Sequence, residues 1–261
     1  MRSKKSKGGF TLVELLVVIG IIALLISILM PALSRARDQA NRVKCMANMR
    51  TLMQALVMYT SENKLWMPPS NWGGNFPDAR PASDKGTAGW LYDNPKWASW
   101  DMEGSEPAWS HLEGGQLWRF LKSREVYKCP LHTNRETKGM TEHYTSYLMN
   151  GSACDFANRV YKISRFKVTD IILWETGEFN AGGVAFNDGC SFPTEWLSFR
   201  HGQGGIKAGK VYGTGGASIA CIDGHAEWFP YKEYERELTR PGGQGGPGRL
   251  YISPTLRNGG L

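Results

Sequence analysis

Gly8-Gly9-Phe10-Thr11-Leu12-Val13-Glu14-Leu15-Leu16-Val17-Val18-Ile19-Gly20 opens an apolar run that continues through Ile21 to Met30 and stops at Pro31. Between Phe10 and Met30 the one charged residue is Glu14. A bilayer core is crossed by about 20 apolar residues in a helix, so this run is long enough to span. In front of it, Arg2, Lys4, Lys5 and Lys7 carry positive charge with no acid among them. The positive-inside bias keeps that end in the cytoplasm and carries the bulk of the chain across. A secretory signal peptide would have a shorter apolar core followed by a small-residue cleavage site. Met30-Pro31-Ala32-Leu33 is a poor site, and the small pair Gly8-Gly9 stands before the run rather than after it.

That arrangement resembles the amino terminus of type IV prepilins and of the pseudopilins of type II secretion, on the residues Gly9 to Ile19. The resemblance implies cleavage between Gly9 and Phe10 by a prepilin peptidase, followed by N-methylation of Phe10. It also makes Glu14 the acid of the assembly helix, paired with the freed amine of Phe10 on a neighbouring subunit. An ionised carboxylate near the bilayer centre costs about 2.5–3.5 kcal/mol on insertion scales, so such a group needs a partner. A second role is local: Thr11-x-x-Glu14 has the spacing of a capping box, which satisfies the orphan amides of a helix start.

The formal charge of +7 overstates how basic the exported part is. Without residues 1–9, 27 lysines and arginines face 24 acids, leaving +3. Phosphate affinity needs clustered cations, so nucleic acid is not an expected partner. Five cysteines (Cys45, Cys129, Cys154, Cys190 and Cys221) would meet an oxidising compartment, and an odd number leaves at least one outside any intramolecular pair. No CxxC spacing marks a zinc cage. Cys45 and Cys129, both near the junction of the long helix with the globular part, are the preferred disulfide pair.

Beyond Pro31 an apolar stripe continues through Leu33, Ala36, Ala40, Val43, Ala47, Met53, Leu56 and Val57, mostly at helical steps. One helix from about residue 10 to about residue 63 would be roughly 80 Å long, with a kink or local melting at Pro31. Its second half, residues 31–63, resembles prepilin-like proteins of planctomycete and verrucomicrobial genomes. From Lys64 to about Lys122 glycine and proline punctuate an irregular stretch holding seven of the ten tryptophans. Packing over a core is the first expectation for these rings; stacking on polysaccharide through Trp72, Trp90 or Trp97 is the second.

Strands are expected at Glu125–Cys129, Tyr144–Asn150, Ile171–Glu175 and Phe199–Gly202, and around the Asp223-Gly224 turn, read as a two-residue type I′ hairpin. A histidine ahead of that Asp-Gly turn again resembles the carboxy-terminal region of those prepilin-like proteins. Here His201 and Asp223 stand far apart because residues 203–215 form a glycine-rich insertion. His201, Asp223, His225 and Asp188 could meet around a metal, although Asp-Gly and a solvated histidine are also ordinary turn chemistry, and no metal is expected. Gly204–Val211 nearly spells a phosphate loop, but Val211 stands where Ser or Thr is required and no helix follows. Paired catalytic carboxylates and serine-nucleophile motifs are absent, so no enzyme activity and no cofactor is expected. His111, His132 and His143 read as surface residues, and the tail from 241 to 261 as an extended or mobile Gly/Pro-rich segment.

The expectation is an α+β, pilin-like protein: a leader at 1–9, a membrane and assembly helix at 10–30, its amphipathic continuation at 31–63, and a globular domain at 64–240 built on an antiparallel sheet. Its function would be that of a pilus or pseudopilus subunit in the inner membrane, amino terminus cytoplasmic and globular domain outside, with other pilin-like subunits as partners. The alternative is an anchored surface domain that binds polysaccharide.

Overall fold

The computed structural model describes residues 11–71, 88–93, 112–132, 145–155, 159–177, 189–195, 197–207, 210–241 and 248–255. It divides into a unit ending at Ala40 and a unit from Asn41 onward. Helix α1 (Leu12–Glu62) is assigned without a break through Pro31. The expected local melting is therefore not seen. Proline leaves one carbonyl in the preceding turn without its amide, and the Arg35 Nε donates to the Pro31 carbonyl one turn further on. In the first unit residues 11–40 are exposed throughout. At its other end α1 closes with a bond from Leu65 N to Thr60 O, the six-to-one closure of a Schellman motif, with Lys64 and Leu65 in the left-handed region (φ 53° and 68°).

In the second unit, α1 buries Cys45, Met49, Leu52, Met53, Leu56 and Tyr59, a stripe at steps of three and four. The apolar stripe expected from sequence was rotated: Met53 and Leu56 are buried, but Val43 and Val57 are exposed. Cysteine, methionine and tyrosine join Leu52 and Leu56 on the true face, where each leucine or methionine is worth about 1.5–3 kcal/mol when fully removed from water.

That face packs on a five-stranded sheet ordered β3-β1-β2-β6-β7, comprising β1 (Tyr147–Asn150), β2 (Ile171–Glu175), β3 (Cys190–Ser191), β6 (Gly216–Cys221) and β7 (Ala226–Pro230). The sheet is antiparallel except for the β1–β3 pair, which is parallel. Its opposite face is covered by a second core, in which Ile171, Trp174, Ile219 and Phe229 meet Tyr231 and Tyr234 of a short helix, Tyr231–Leu238. Of the strand expected at residues 144–150, Tyr147–Asn150 forms, and the strand expected at Ile171–Glu175 forms in full. Glu125–Cys129 does not: Arg124–Tyr127 is a 3₁₀ turn, and Tyr127 O accepts from Ser146 N and Thr145 Oγ1 instead of joining a ladder. Phe199–Gly202 is also a turn, with Arg200 N held by Ser198 Oγ at 3.1 Å.

The Asp223-Gly224 hairpin joins β6 and β7 with a three-residue loop. Gly224 N bonds Cys221 O, Cys221 N bonds His225 O, and Gly224 alone takes positive φ (91°), a type I turn followed by a left-handed glycine. The two-residue type I′ turn read from sequence is thus corrected, since Asp223 keeps negative φ. The insertion folds as a separate hairpin of β4 (Gln203–Lys207) and β5 (Lys210–Thr214), which agrees with rejecting a phosphate loop. The carboxy-terminal segment is not merely draped over the surface. Leu250 and Ile252 are buried, the Asn150 Nδ2 and Ser152 Oγ both donate to Leu250 O (2.7 and 2.8 Å), and Ile171 N donates to Arg249 O.

Candidate functional site

Two places in the chain carry chemistry, the start of α1 and a buried polar cluster in the second unit. At the helix start, Glu14 Oε2 accepts from both Thr11 N and Thr11 Oγ1 at 2.8 Å, while Glu14 N donates to Thr11 Oγ1 at 3.3 Å. The capping box expected from Thr-x-x-Glu is formed. Glu14 therefore has a local partner in the isolated subunit and lies on a helix whose Leu12–Met30 side chains face outward. The helix is long and apolar enough to cross a membrane. Gly9 and Phe10, the expected cleavage and methylation pair, lie outside the described residues.

The buried cluster converges on His201. Its Nε2 lies 3.3 Å from Cys45 Sγ, 3.3 Å from Cys129 Sγ and 3.1 Å from Glu175 Oε1. Four segments deliver these groups: α1, the stretch after the 3₁₀ turn, the end of β2, and the turn before β4. A register irregularity between Ile171 and Leu173 turns both Ile172 and Leu173 to the helix side, and Trp174 back to the other. Glu175 then points toward α1, where its Oε2 accepts from Ser218 N at 2.9 Å. Ser146 Oγ fixes Cys129 N at 2.8 Å, and the Arg42 guanidinium reaches His201 O at 2.6 Å while lying 4.4 Å over the Trp228 ring. Arg200 approaches Glu175 Oε1 at 4.0 Å and donates to Thr176 O at 3.0 Å.

Burial opposes charge on Glu175, but His201, Arg200 and the Ser218 amide overcome it and hold the carboxyl down to about 2. His201 is likewise opposed by burial and raised to about 9 by Cys129 and Glu175. Cys45 hydrogen-bonds Cys129 and, against burial and with His201, brings the Cys129 thiol down to about 6; the same bond drives the Cys45 thiol up. These directions favour a thiolate on Cys129, an imidazolium on His201 and a carboxylate on Glu175, with the thiol proton on Cys45. Each thiol, carboxylate and imidazole is also a metal donor, and the four donor atoms all lie within 4.8 Å of one another.

The sequence-derived sites are redistributed. Cys45 and Cys129, the preferred disulfide pair from the sequence, lie close together but stand as unlinked thiols. His201 does not meet Asp223 and His225. It sits by Glu175 at one end of β2, whereas Cys221, next to the loop that bears Asp223 and His225, pairs with Ile171 at the other. His225 instead contacts Asp223 (2.5 Å) and groups with Cys221 and Glu227. Trp90 is fully buried and its indole N–H donates to Gly189 O at 2.9 Å, so it presents no face to a sugar. Trp72, Trp97 and Asp188 lie outside the described residues, as do His111 and His143. His132 is buried against Ser146 Oγ (2.7 Å) rather than solvated. Glu175 was missed because it closes an apolar strand, Ile171-Ile172-Leu173-Trp174-Glu175. The signal was available: a lone acid in an apolar run, the same signal that singled out Glu14.

Residues 4–30 match the family described as the prokaryotic N-terminal methylation motif. The chain is 37% identical over 73 residues to type II secretion system core protein G of Escherichia coli (strain K12), covering 28% of this chain and 50% of that protein. It is 40% identical over 60 residues to the protein of the same name from Klebsiella michiganensis, covering 23% of this chain and 42% of the relative. The chain thus spans about half the length of the curated relatives it matches. No solved structure matches it. The methylation motif at residues 4–30 leads into an outward-facing apolar helix, and over this amino-terminal part the chain is similar to prepilin-type proteins and to type II secretion system core protein G.

Proposed function

We propose that this protein is a structural subunit of a type II secretion pseudopilus or type IV pilus-like filament. The observation that carries this reading is the methylation motif set on a helix whose residues 12–30 are apolar and exposed. A prepilin peptidase cleaves after Gly9 and Phe10 is N-methylated. The helix holds the subunit in the inner membrane until assembly, with the second unit on the far side. In the filament, Leu12–Met30 helices of successive subunits bury one another. Glu14 exchanges its Thr11 partner for the Phe10 amine of a neighbour, because a buried carboxylate gains far more from a cation than from a hydroxyl. No enzymatic step is assigned to it. Polysaccharide binding through the tryptophan-rich stretch is not favoured, since Trp90 is consumed in the core.

Co-expression with a prepilin peptidase, followed by mass spectrometry of the amino terminus, tests the reading. The expected product begins at methylated Phe10. A chain that keeps residues 1–9, or one cut after Met30, overturns it.

A further inference from the structure

We infer that Cys45, Cys129, Glu175 and His201 form a structural zinc site joining α1 to the sheet. The four donors are each buried to within 2% of complete, and they come from four separate chain segments. Hydrogen bonding alone does not account for their arrangement. A histidine Nε2 carries at most one proton, yet a carboxylate oxygen and two sulfurs converge on it at 3.1–3.3 Å. One proton cannot serve three partners, whereas one cation between them serves all.

The spacing has the size of a coordination shell. Tetrahedral zinc with Zn–S of about 2.3 Å and Zn–N or Zn–O of about 2.0–2.1 Å places neighbouring donors roughly 3.3–3.8 Å apart. The three edges radiating from His201 Nε2 already approach that size. The donor set is of the borderline-soft, nitrogen-and-sulfur kind that zinc prefers, and every position is filled by protein, as in a closed structural site rather than an open catalytic one. Outer contacts orient the ligands: Ser218 N holds the free oxygen of Glu175, and Ser146 Oγ holds the Cys129 amide. Two thiolates and a carboxylate around Zn²⁺ leave one net negative charge, and Arg200, 4.0 Å from Glu175, offsets it.

The other group of donors, Cys221 with His225 and Glu227, is a poorer candidate. The Arg249 guanidinium already lies 3.2 Å from Cys221 Sγ and against Glu227, where a cation would have to sit. The spacing of His201 from Asp223 hid the first group, because two of its ligands precede residue 130 and none belongs to the Asp-Gly turn.

The test uses the full chain purified in detergent without chelators or reductant. Elemental analysis is expected to find one zinc per chain, and peptide mapping to find Cys45 and Cys129 unlinked. Cys45→Ser, Cys129→Ser and His201→Gln lose the zinc, while Cys154→Ser, outside the cluster, retains it. Should the ligand variants fail to fold, the wild-type chain stripped with a chelator and given Co²⁺ must show thiolate-to-cobalt charge transfer and the visible bands of tetrahedral coordination. A metal-free chain carrying a Cys45–Cys129 disulfide overturns the inference, and so does a stripped chain whose Co²⁺ spectrum lacks thiolate bands. Neither result bears on cleavage after Gly9.

Discussion

Glu175 Oε1 lies 3.1 Å from His201 Nε2, with both side chains wholly buried. The pair joins the last residue of β2 to the turn before β4, and the remaining carboxylate oxygen is taken by Ser218 N. Removing one partner of such a pair leaves an uncompensated charge in the interior, which costs about 3–5 kcal/mol. Glu175→Ala is therefore expected to destabilise the second unit by that amount in urea unfolding. Glu175→Gln, which keeps an acceptor for Ser218 N, should lose less. Equal losses from the two substitutions would show that the acceptor for Ser218 N adds nothing and that the charge alone is what matters there.

The pH response of the chelator-stripped chain follows from the same network. Glu175 is held at about 2 against an ordinary 4.5, so its stabilisation is present above pH 4.5 and is lost as pH falls toward 2. For a fully buried group that shift corresponds to about 3 kcal/mol. His201, raised from 6.5 to about 9, loses its contribution as pH rises through that range. Cys129, lowered from 9.0 to about 6, gains over nearly the same range, so the two offset. Unfolding free energies should fall on the acid side of 4.5 and stay nearly level between 6.5 and 9. A steep decline across the neutral range would contradict the thiolate–imidazolium assignment.

Glu14→Ala removes a carboxylate whose hydrogen bonds among the described residues go to Thr11. Membrane insertion should be retained, because the apolar run is unaltered, while incorporation into filaments should be lost. Fractionating membranes and sheared filaments from cells expressing the variant separates the two effects. Normal incorporation would remove the proposed role of Glu14 as a neighbour's counter-charge.

Trp90→Ala leaves a large cavity and removes one of the two donors to the Gly189 carbonyl, which keeps Met149 N, so a loss of about 3–5 kcal/mol is expected in thermal or urea unfolding. Retention of polysaccharide by the wild-type chain, abolished by Trp90→Ala in a variant of unchanged stability, would reverse that assignment.

What was legible in the sequence was what periodicity and punctuation carry. The run from Phe10 to Met30 announced its helix because one charge in twenty residues leaves few alternatives, and Thr11-x-x-Glu14 announced its cap. Ile171–Glu175 and the Asp223-Gly224 hairpin were legible for the same reason. The burying face of α1 was misplaced because Cys45, Met49 and Tyr59, adaptable or half-polar side chains, form it, while valines at 43 and 57 point outward. The cluster around His201 was not legible, since it depends on a register irregularity in β2 and on contacts between residues up to 156 positions apart. Local spacing carries no trace of such a meeting.

The buried carboxy-terminal segment makes closure of the second unit depend on residues 249–252. Asn150, Ser152 and Ile171, from the middle of the chain, all wait on the backbone of Arg249–Leu250, and Ile252 fills the helix-side core. In the proposed topology the amino terminus stays in the cytoplasm and the rest follows the helix out in chain order, so the anchor would be in place from the outset. The globular domain would stay an unclosed thread until nearly the whole chain had emerged. The anchor comes first and the fold last, so between the two the tethered chain depends on whatever protects unfolded segments at that membrane surface.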